Sequence, residues 1–299
     1  MLHLLFLVTL AIPNLAYCQE DIWKKYDKTG MYSEGMMPVQ KNNKWGFSDE
    51  NGKLLIDFKY DDTWFFIYGL CTVKKDGKVG LIDKDDKVVV PFIYDDVTAF
   101  KNNIALIKIG NKWGGIDRSG KEVIPAQYDY MDEFDHGNIA FVKLNGKIGL
   151  IDNKNNIIAP FIYSDYYNFR QKFALIKLDD KWGIINDKGV ITVEPKYDYM
   201  GRTIATTVPV KNNNKYGAID FEGNIKVPVE YDFVGSFEND LALIKLNNKF
   251  GFVTLEGKIV IPIEYDFADD FNVNGVANVT KKGKKILINT KNECVKYCD

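Results

Sequence analysis

The sequence predicts an all-β fold built from tandem units of about 34 residues stacked in one array. Three observations predict it. A short motif returns on a fixed beat, with its glycines at 46, 80, 114, 149, 183, 217 and 251, spaced 34, 34, 35, 34, 34 and 34. Regular self-similarity of this kind is the signature of a repeat architecture. The apolar segments between markers run four to six residues and are rich in Val, Ile and aromatics, and turn residues separate them, as in Asp117-Arg118-Ser119-Gly120. After the first 18 residues no stretch carries an uninterrupted 3.6-residue apolar stripe a dozen residues long. A period of 34 also suits helical hairpins, and these last two features argue against them.

Each unit has the same parts in the same order. The core motif reads Lys-aromatic-Gly-apolar-Ile-Asp, as in Lys112-Trp113-Gly114-Gly115-Ile116-Asp117 and Lys147-Ile148-Gly149-Leu150-Ile151-Asp152. An apolar run that often ends in Pro follows, as in Val88-Val89-Val90-Pro91. Proline is expected to stop the strand where a missing N–H costs least. Fourteen residues after each Gly stands a tyrosine, at 60, 94, 128, 163, 197, 231 and 265, and all but Tyr163 are followed by Asp. That Asp is expected to accept backbone hydrogen bonds and fix a corner. Six residues on come Phe66, Phe100, Phe134, Phe169, Phe237 and Phe271, with Thr203 as the one break. A segment such as Ala105-Leu106-Ile107-Lys108 then leads to the next motif. Each unit therefore reads as three strands, with a fourth short piece after Tyr-Asp. The motif Gly leaves room for a neighbouring ring or backbone. No unit can bury its apolar face alone, so stability must come from stacking.

These residues, above all Lys44-Trp45-Gly46, Lys112-Trp113-Gly114 and Lys181-Trp182-Gly183, resemble the bacterial WG-repeat family, also called KWG repeats. The resemblance spans nearly the whole chain after residue 18. It implies a β-repeat array, in proteins that are often exported, and no defined activity. Val79, Ile148, Tyr216 and Phe250 depart from Trp but stay apolar or aromatic. The array is expected to be either an open β-superhelix or a closed, propeller-like ring of seven or eight blades. Framed from Tyr-Asp to Ile-Asp, residues 19–299 form a single domain with units near 26–49, 60–83, 94–117, 128–152, 163–186, 197–220, 231–254 and 265–289.

Residues 1–18, MLHLLFLVTLAIPNLAYC, have the apolar core and small-residue end of a secretory signal, although no Lys or Arg precedes the core. Cleavage after Cys18 or Ala16 is expected. A lipid anchor on Cys18 is the competing reading, and Tyr17 before it is a poor fit. Export follows, to a periplasm, an outer envelope or the medium, with no transmembrane segment left after signal removal.

Function is less legible. Lys+Arg total 39 against Asp+Glu 41, a net charge of −2, and no basic field exists to gather nucleic acid. His136 is the only histidine after the leading segment, too little for a His-based triad. No phosphate-cradling loop and no zinc-ligand spacing occurs, so no cofactor and no metal are expected. Asp61, Asp95, Asp129, Asp198, Asp232 and Asp266 occupy one repeated slot. Catalytic acids need unlike environments, so a copied acid reads as a corner-former. Cys71 takes a slot held elsewhere by Ala and reads as a small core residue. Cys294 and Cys298 are close enough in sequence for a local disulfide at the C-terminus. The variable residues after Tyr-Asp include Trp64, Tyr130, Tyr166, Tyr199 and Phe233. They would line a ligand surface for a protein, peptide or glycan if they share a rim, and would be core if they bury between units. The expectation is a non-enzymatic binding or scaffolding module. An envelope hydrolase using paired carboxylates and a structural adhesion component are the alternatives.

Overall fold

A computed structural model describes residues 22–134, 137–201 and 207–298. The signal-like segment with Cys18, and also His136 and Thr203, lie outside the described residues. The fold is all-β, and each repeat is a four-stranded antiparallel sheet whose strands pair in chain order. Among the described residues there are eight such sheets. The chain divides into two compact units, Met1–Tyr128 and Asp129–Asp299, and the division falls at a Tyr-Asp corner.

The sheet over residues 62–94 shows the plan. Its strands are Asp62–Thr63, Leu70–Lys75, Lys78–Asp83 and Val88–Tyr94. The fourth piece of each unit is thus a real strand, lying on the outer side of the Ala-to-Lys segment. The second and third strands meet in a two-residue turn with both residues at positive φ: Asp76 and Gly77 here, Asn213 and Asn214 or Asn247 and Asn248 elsewhere. Such turns match the twist of antiparallel strands, and Asn, Asp and Gly enter this region at least cost. The turn between third and fourth strands is closed by the motif Asp. Asp83 Oδ1 accepts the amides of Asp85 and Lys87 at 3.0 and 2.9 Å.

The proline does not end its strand. Val79 pairs with Tyr94 and Leu81 with Val90, so one residue between the pairs on the third strand opposes three on the fourth. Pro91 sits in this bulge, where its missing N–H breaks no ladder bond, and the strand runs on to Tyr94. The same shift recurs at Trp113–Tyr128, Ile148–Tyr163 and Trp182–Tyr197. The bulge explains the motif glycine. A Cβ on Gly80, Gly114, Gly217 or Gly251 would lie 2.6 Å from the carbonyl oxygen just before the bulge. On Gly149 it would meet the Phe161 ring at 2.7 Å. The neighbour that needs the room is the adjacent strand of the same sheet.

The motif also sets which way the core residues face. Successive strand residues point to opposite faces, and Gly80, Leu81 and Ile82 are all buried. Both faces of the third strand are therefore covered. Leu81 packs with Val90 and Tyr94 against Val97, Ala105, Ile107 and Ile116 of the following sheet. Ile82 packs with Phe66, Cys71 and Val73 against Met36, Phe47, Ile56 and Tyr60 of the preceding one. The alternation recurs in the second unit, where Ile184 faces forward and Ile185 back, and Phe252 faces forward and Val253 back. All six of these clusters lie between consecutive sheets. Cys71 belongs to one of them, and burial pushes its thiol pKa up to about 11.

Polar groups fasten the same joints. Asp95 follows Tyr94, and its Oδ1 lies 2.6 Å from Lys78 Nζ of the preceding sheet. Its Oδ2 accepts the Gly110 amide of the following sheet at 2.6 Å. Asp61 does the same for Lys44 and Gly77, and Asp232 for Lys215 and Asn247. Lys181 pairs with Asp198 and Lys249 with Asp266. The tyrosine adds a bond forward: Tyr60 Oη donates to Asp86 Oδ1 at 2.5 Å and Tyr265 Oη to Asn292 Oδ1 at 2.6 Å. At the C-terminal edge Cys294 and Cys298 are joined by a disulfide, Cα–Cα 5.7 Å.

Candidate functional site

Repeated residues hold the scaffold, so candidate sites lie where the repeat is broken. The connection between first and second strands is such a place. In the sheet over 96–128 it is polar at its tip, with Asn102 and Asn103 at positive φ. In the sheet over 62–94 it reads Trp64-Phe65-Phe66-Ile67-Tyr68-Gly69. Phe66 is fully buried and belongs to the core, as are Phe134, Phe169 and Phe271 at the same slot. Trp64 and Tyr68, by contrast, are 68% and 77% exposed. Tyr68 also holds φ at +51°, a region costly for a bulky side chain.

The strained turn is held from the preceding sheet. Glu34 accepts the amides of Tyr68 and Gly69 at 2.6 and 2.9 Å. Lys84 Nζ lies 3.2 Å from the same carboxylate. The Gly69 amide first, and Lys84 after it, hold the Glu34 carboxyl below its usual range. Ser33 Oγ donates to the Phe66 carbonyl at 2.7 Å. Strain that neighbours over-determine in this way is common at binding sites.

Beside the turn opens a cleft of about 330 Å³, lined among others by Trp64, Phe65, Tyr68, Thr98, Phe100 and Arg118. Arg118 lies over the Phe100 ring at 5.1 Å, and its Nε donates to Asn103 Oδ1 at 3.1 Å. Asp96, also at the cleft, accepts its neighbour's Val97 amide at 2.9 Å. The result is an aromatic-walled hollow with one guanidinium, the general form of a pocket for an apolar group with an oriented polar partner.

A second hollow lies at the joint of the sheets over 130–163 and 165–197. It holds about 650 Å³ and is lined by Asp129, Tyr130, Val142, Lys143, Ile148, Ser164, Asp165 and Tyr166. Tyr166 Oη donates to Asp132 Oδ2 at 2.7 Å, and the Tyr166 ring stacks on Phe141 at 4.2 Å. Tyr130 shares the Asp132 carboxylate, and that bond, with burial second, pushes its phenol pKa up to about 12. Burial first, and Asp132 second, raise that of Tyr166 further.

The five aromatics singled out in the sequence thus fall in different places. Tyr130, Tyr199 and Phe233 each open the first strand of their sheet, and are 48%, 49% and 42% exposed. Tyr166 stands one residue later, on the inward-facing position, and is half-buried. Trp64 stands two residues after Asp62, which opens its own sheet. The structure brings Tyr130 and Tyr166 together at one hollow and puts Trp64 at the other. Phe233 packs against Tyr216 at 6.4 Å. Tyr68, Asp96, Arg118, Asp132 and Lys143 were not singled out. Tyr68 was findable, because a tyrosine stands where the next repeat has an Asn. Among the described residues no group of three or more His, Cys, Asp or Glu side chains is placed to hold a metal ion. Nor, among them, is any helix long and apolar enough to cross a membrane.

Fold and clefts together define a β-sheet repeat protein with hollows where the repeat lapses. Eight consecutive stretches, residues 24–45, 45–78, 80–113, 113–147, 148–182, 182–216, 216–250 and 250–284, match the WG containing repeat family, and the chain belongs to it. No curated protein matches the sequence. Among solved structures, a eukaryotic initiation factor is similar over 90% of this chain and 86% of that one, at 8% identity and a TM-score of 0.38. Hsv2p of Kluyveromyces lactis is similar over 85% and 92%, at 10% identity and a TM-score of 0.33. PorZ, a surface component of the type-IX secretion system of Porphyromonas gingivalis, is similar over 90% and 46%, at 10% identity and a TM-score of 0.28. At such scores and identities no function transfers from them.

Proposed function

We propose that this chain is an exported, non-enzymatic binding module, and that its principal site is the cleft of Trp64, Tyr68 and Arg118. The ligand class is a protein or peptide segment offering an aromatic or aliphatic side chain next to an acidic one. The carrying observation is the exposed Trp64–Tyr68 pair on a turn that its neighbours force into a strained shape. The cleft's volume suits one or two side chains, and Arg118 supplies the charge complement for a carboxylate. Rigid aromatics and Arg are the residues that dominate binding energy at such anchors. The repeated carboxylates support the non-enzymatic reading, since Asp61, Asp95 and Asp232 are each tied to a lysine and a turn amide. Export rests on the form of residues 1–18, and mass spectrometry of the mature N-terminus tests it. A blocked, lipid-bearing Cys18 would replace soluble release by anchoring.

The test of the site is a random-peptide library panned on the purified protein. Peptides with an aromatic residue beside Asp or Glu are expected to be enriched. Trp64→Ala and Tyr68→Ala are expected to weaken the best of them about 30-fold or more. Arg118→Gln is expected to remove the acidic preference alone. Peptides that bind the variants as well as the parent overturn the assignment.

A further inference from the structure

At the hollow between the sheets over 130–163 and 165–197, two repeat positions lapse at the same place. The aromatic slot of the motif holds Trp at 45, 113 and 182, but Ile148 here. The corner slot holds Asp at 61, 95, 129, 198, 232 and 266, but Ser164 here. Both Ile148 and Ser164 line the hollow. Ser164 cannot form the Lys–Asp clamp with Lys147. It keeps only a contact of its Oγ with the Lys177 carbonyl at 3.3 Å. A smaller side chain and a missing ion pair thus stand together at this hollow.

Beside the aliphatic Val142 and Ile148, polar and aromatic groups surround that space. Two phenols stand at it, Tyr130 and Tyr166, and Asp132 accepts from Tyr166 at 2.7 Å. The Ser164 hydroxyl, the Lys143 ammonium and the carboxylates of Asp129 and Asp165 stand around it. Asp129 receives the Gly146 amide at 3.3 Å, and Asp165 receives the Tyr166 amide at 2.9 Å. The Tyr130 ring is half exposed at the rim. This set mixes donors and acceptors, has no excess of cations for a phosphate or sulfate, and offers a ring for stacking. Neutral polyhydroxylated rings match all three features, since their C–H faces lie on aromatics and their hydroxyls both donate and accept.

We propose that this hollow is a second ligand site, independent of the Trp64 cleft, and that it takes a neutral pyranose unit of a glycan. Tyr130 stacks on the sugar face, while Asp165, Lys143 and Ser164 meet its hydroxyls. The bond from Tyr166 to Asp132 holds the wall in place, so Tyr166 is a positioning residue.

Saturation-transfer NMR of the full chain with cellotriose, chitotriose and maltotriose tests this. At least one is expected to bind saturably. Tyr130→Ala is expected to weaken it about tenfold or more. The variant I148W/S164D restores the Trp and Asp pair found at Trp45 and Asp61, Trp113 and Asp129, and Trp182 and Asp198, so it is expected to fold, to melt no lower than the parent, and to bind no sugar. Should that variant fail to fold, Ser164→Asp alone is expected to bind more weakly than the parent. Trp64→Ala is expected to leave sugar binding unchanged, which separates this site from the peptide cleft. Absence of saturable binding by all three sugars overturns the proposal, as does undiminished binding by I148W/S164D. Preference for a sulfated oligosaccharide overturns the ligand class.

Discussion

The joint at Tyr94-Asp95 and the joint at Tyr163-Ser164 have the same backbone and different side chains. At both, the residue after the tyrosine donates its amide to the next sheet's lysine carbonyl, at 2.9 Å: Asp95 to Lys108 and Ser164 to Lys177. At both, an apolar cluster joins the sheets, Leu81 and Val90 with Ile107 in one and Leu150 and Ala159 with Ile176 in the other. Only the first has the carboxylate that ties Lys78 to the Gly110 amide. The comparison teaches that buried surface and backbone set the joint, and that the charged clamp is an addition the protein can lose. At the joint where it is lost, Ser164 and Ile148 both line a hollow. Exposed ion pairs contribute little as a rule, so their positions are free to be exchanged for function.

The most severe way to break the comparison is to remove the joints altogether. A peptide of residues 62–94 alone would expose both faces of its third strand, Leu81 on one side and Ile82 on the other. It is expected to be unfolded by circular dichroism, because a lone sheet has no partner for either face. A folded isolated sheet would mean that the sheet, and not the joint, is the stable unit. Gly114→Ala is the next largest change. Its methyl would lie 2.6 Å from the Ile124 carbonyl and 2.7 Å from the Ala126 nitrogen, so the bulge must move. Urea denaturation is expected to show a loss of about 3 kcal/mol. Gly110→Ala, at a turn with nothing within 4 Å of the new methyl, would pay only for its positive φ, at a cost of about 1 kcal/mol. Equal losses at the two glycines would undo the bulge explanation.

Much of the fold was legible because tandem repetition exposes each constraint several times. The Gly, Tyr, Asp and Phe markers could be read as slots from the sequence alone, and so could turns such as Asp117-Arg118-Ser119-Gly120. What the sequence could not show was strand register. Pro91 looked like a strand end, yet a bulge carries the strand to Tyr94, and a bulge is a property of two strands together. Register also hid the candidate sites. Tyr130 and Tyr166 differ by one position within their strands, so one is half exposed and the other turned inward. Nothing in the local pattern fixes which residue opens the first strand, which has two residues in one sheet and six in the other. Arg118 reaches its cleft from a different turn from Trp64, a proximity only the folded chain supplies. The informative signals were the exceptions, Ser164, Ile148 and Tyr68, and an exception needs the slot aligned before it can be seen.

Acid separates the two joints most gently. The Lys78 ammonium first, and the Gly110 amide next, hold the Asp95 carboxyl below its ordinary value of 3.8. Asp198 and Asp232 are lowered in the same way by Lys181 and Lys215. A carboxyl whose folded pKa is depressed stabilises the fold fully above its unfolded value, and that contribution fades as the pH falls through the lower folded value. The clamped joints are therefore expected to loosen below pH 3.8, with the Gly110 and Asn247 amide resonances shifting as Asp95 and Asp232 take up protons. The Tyr163-Ser164 joint has no such carboxylate, so the Ser164 amide is expected to stay where it is over the same range. Because these acids face solvent, raising the salt concentration is expected to shift the midpoints of Asp95 and Asp232 upward. Asp95→Asn should make its joint as indifferent to acid as the one at Ser164, and Ser164→Asp should make that joint titrate. If Gly110 fails to titrate while Ser164 does, the Tyr-Asp carboxylate is not the group that distinguishes them.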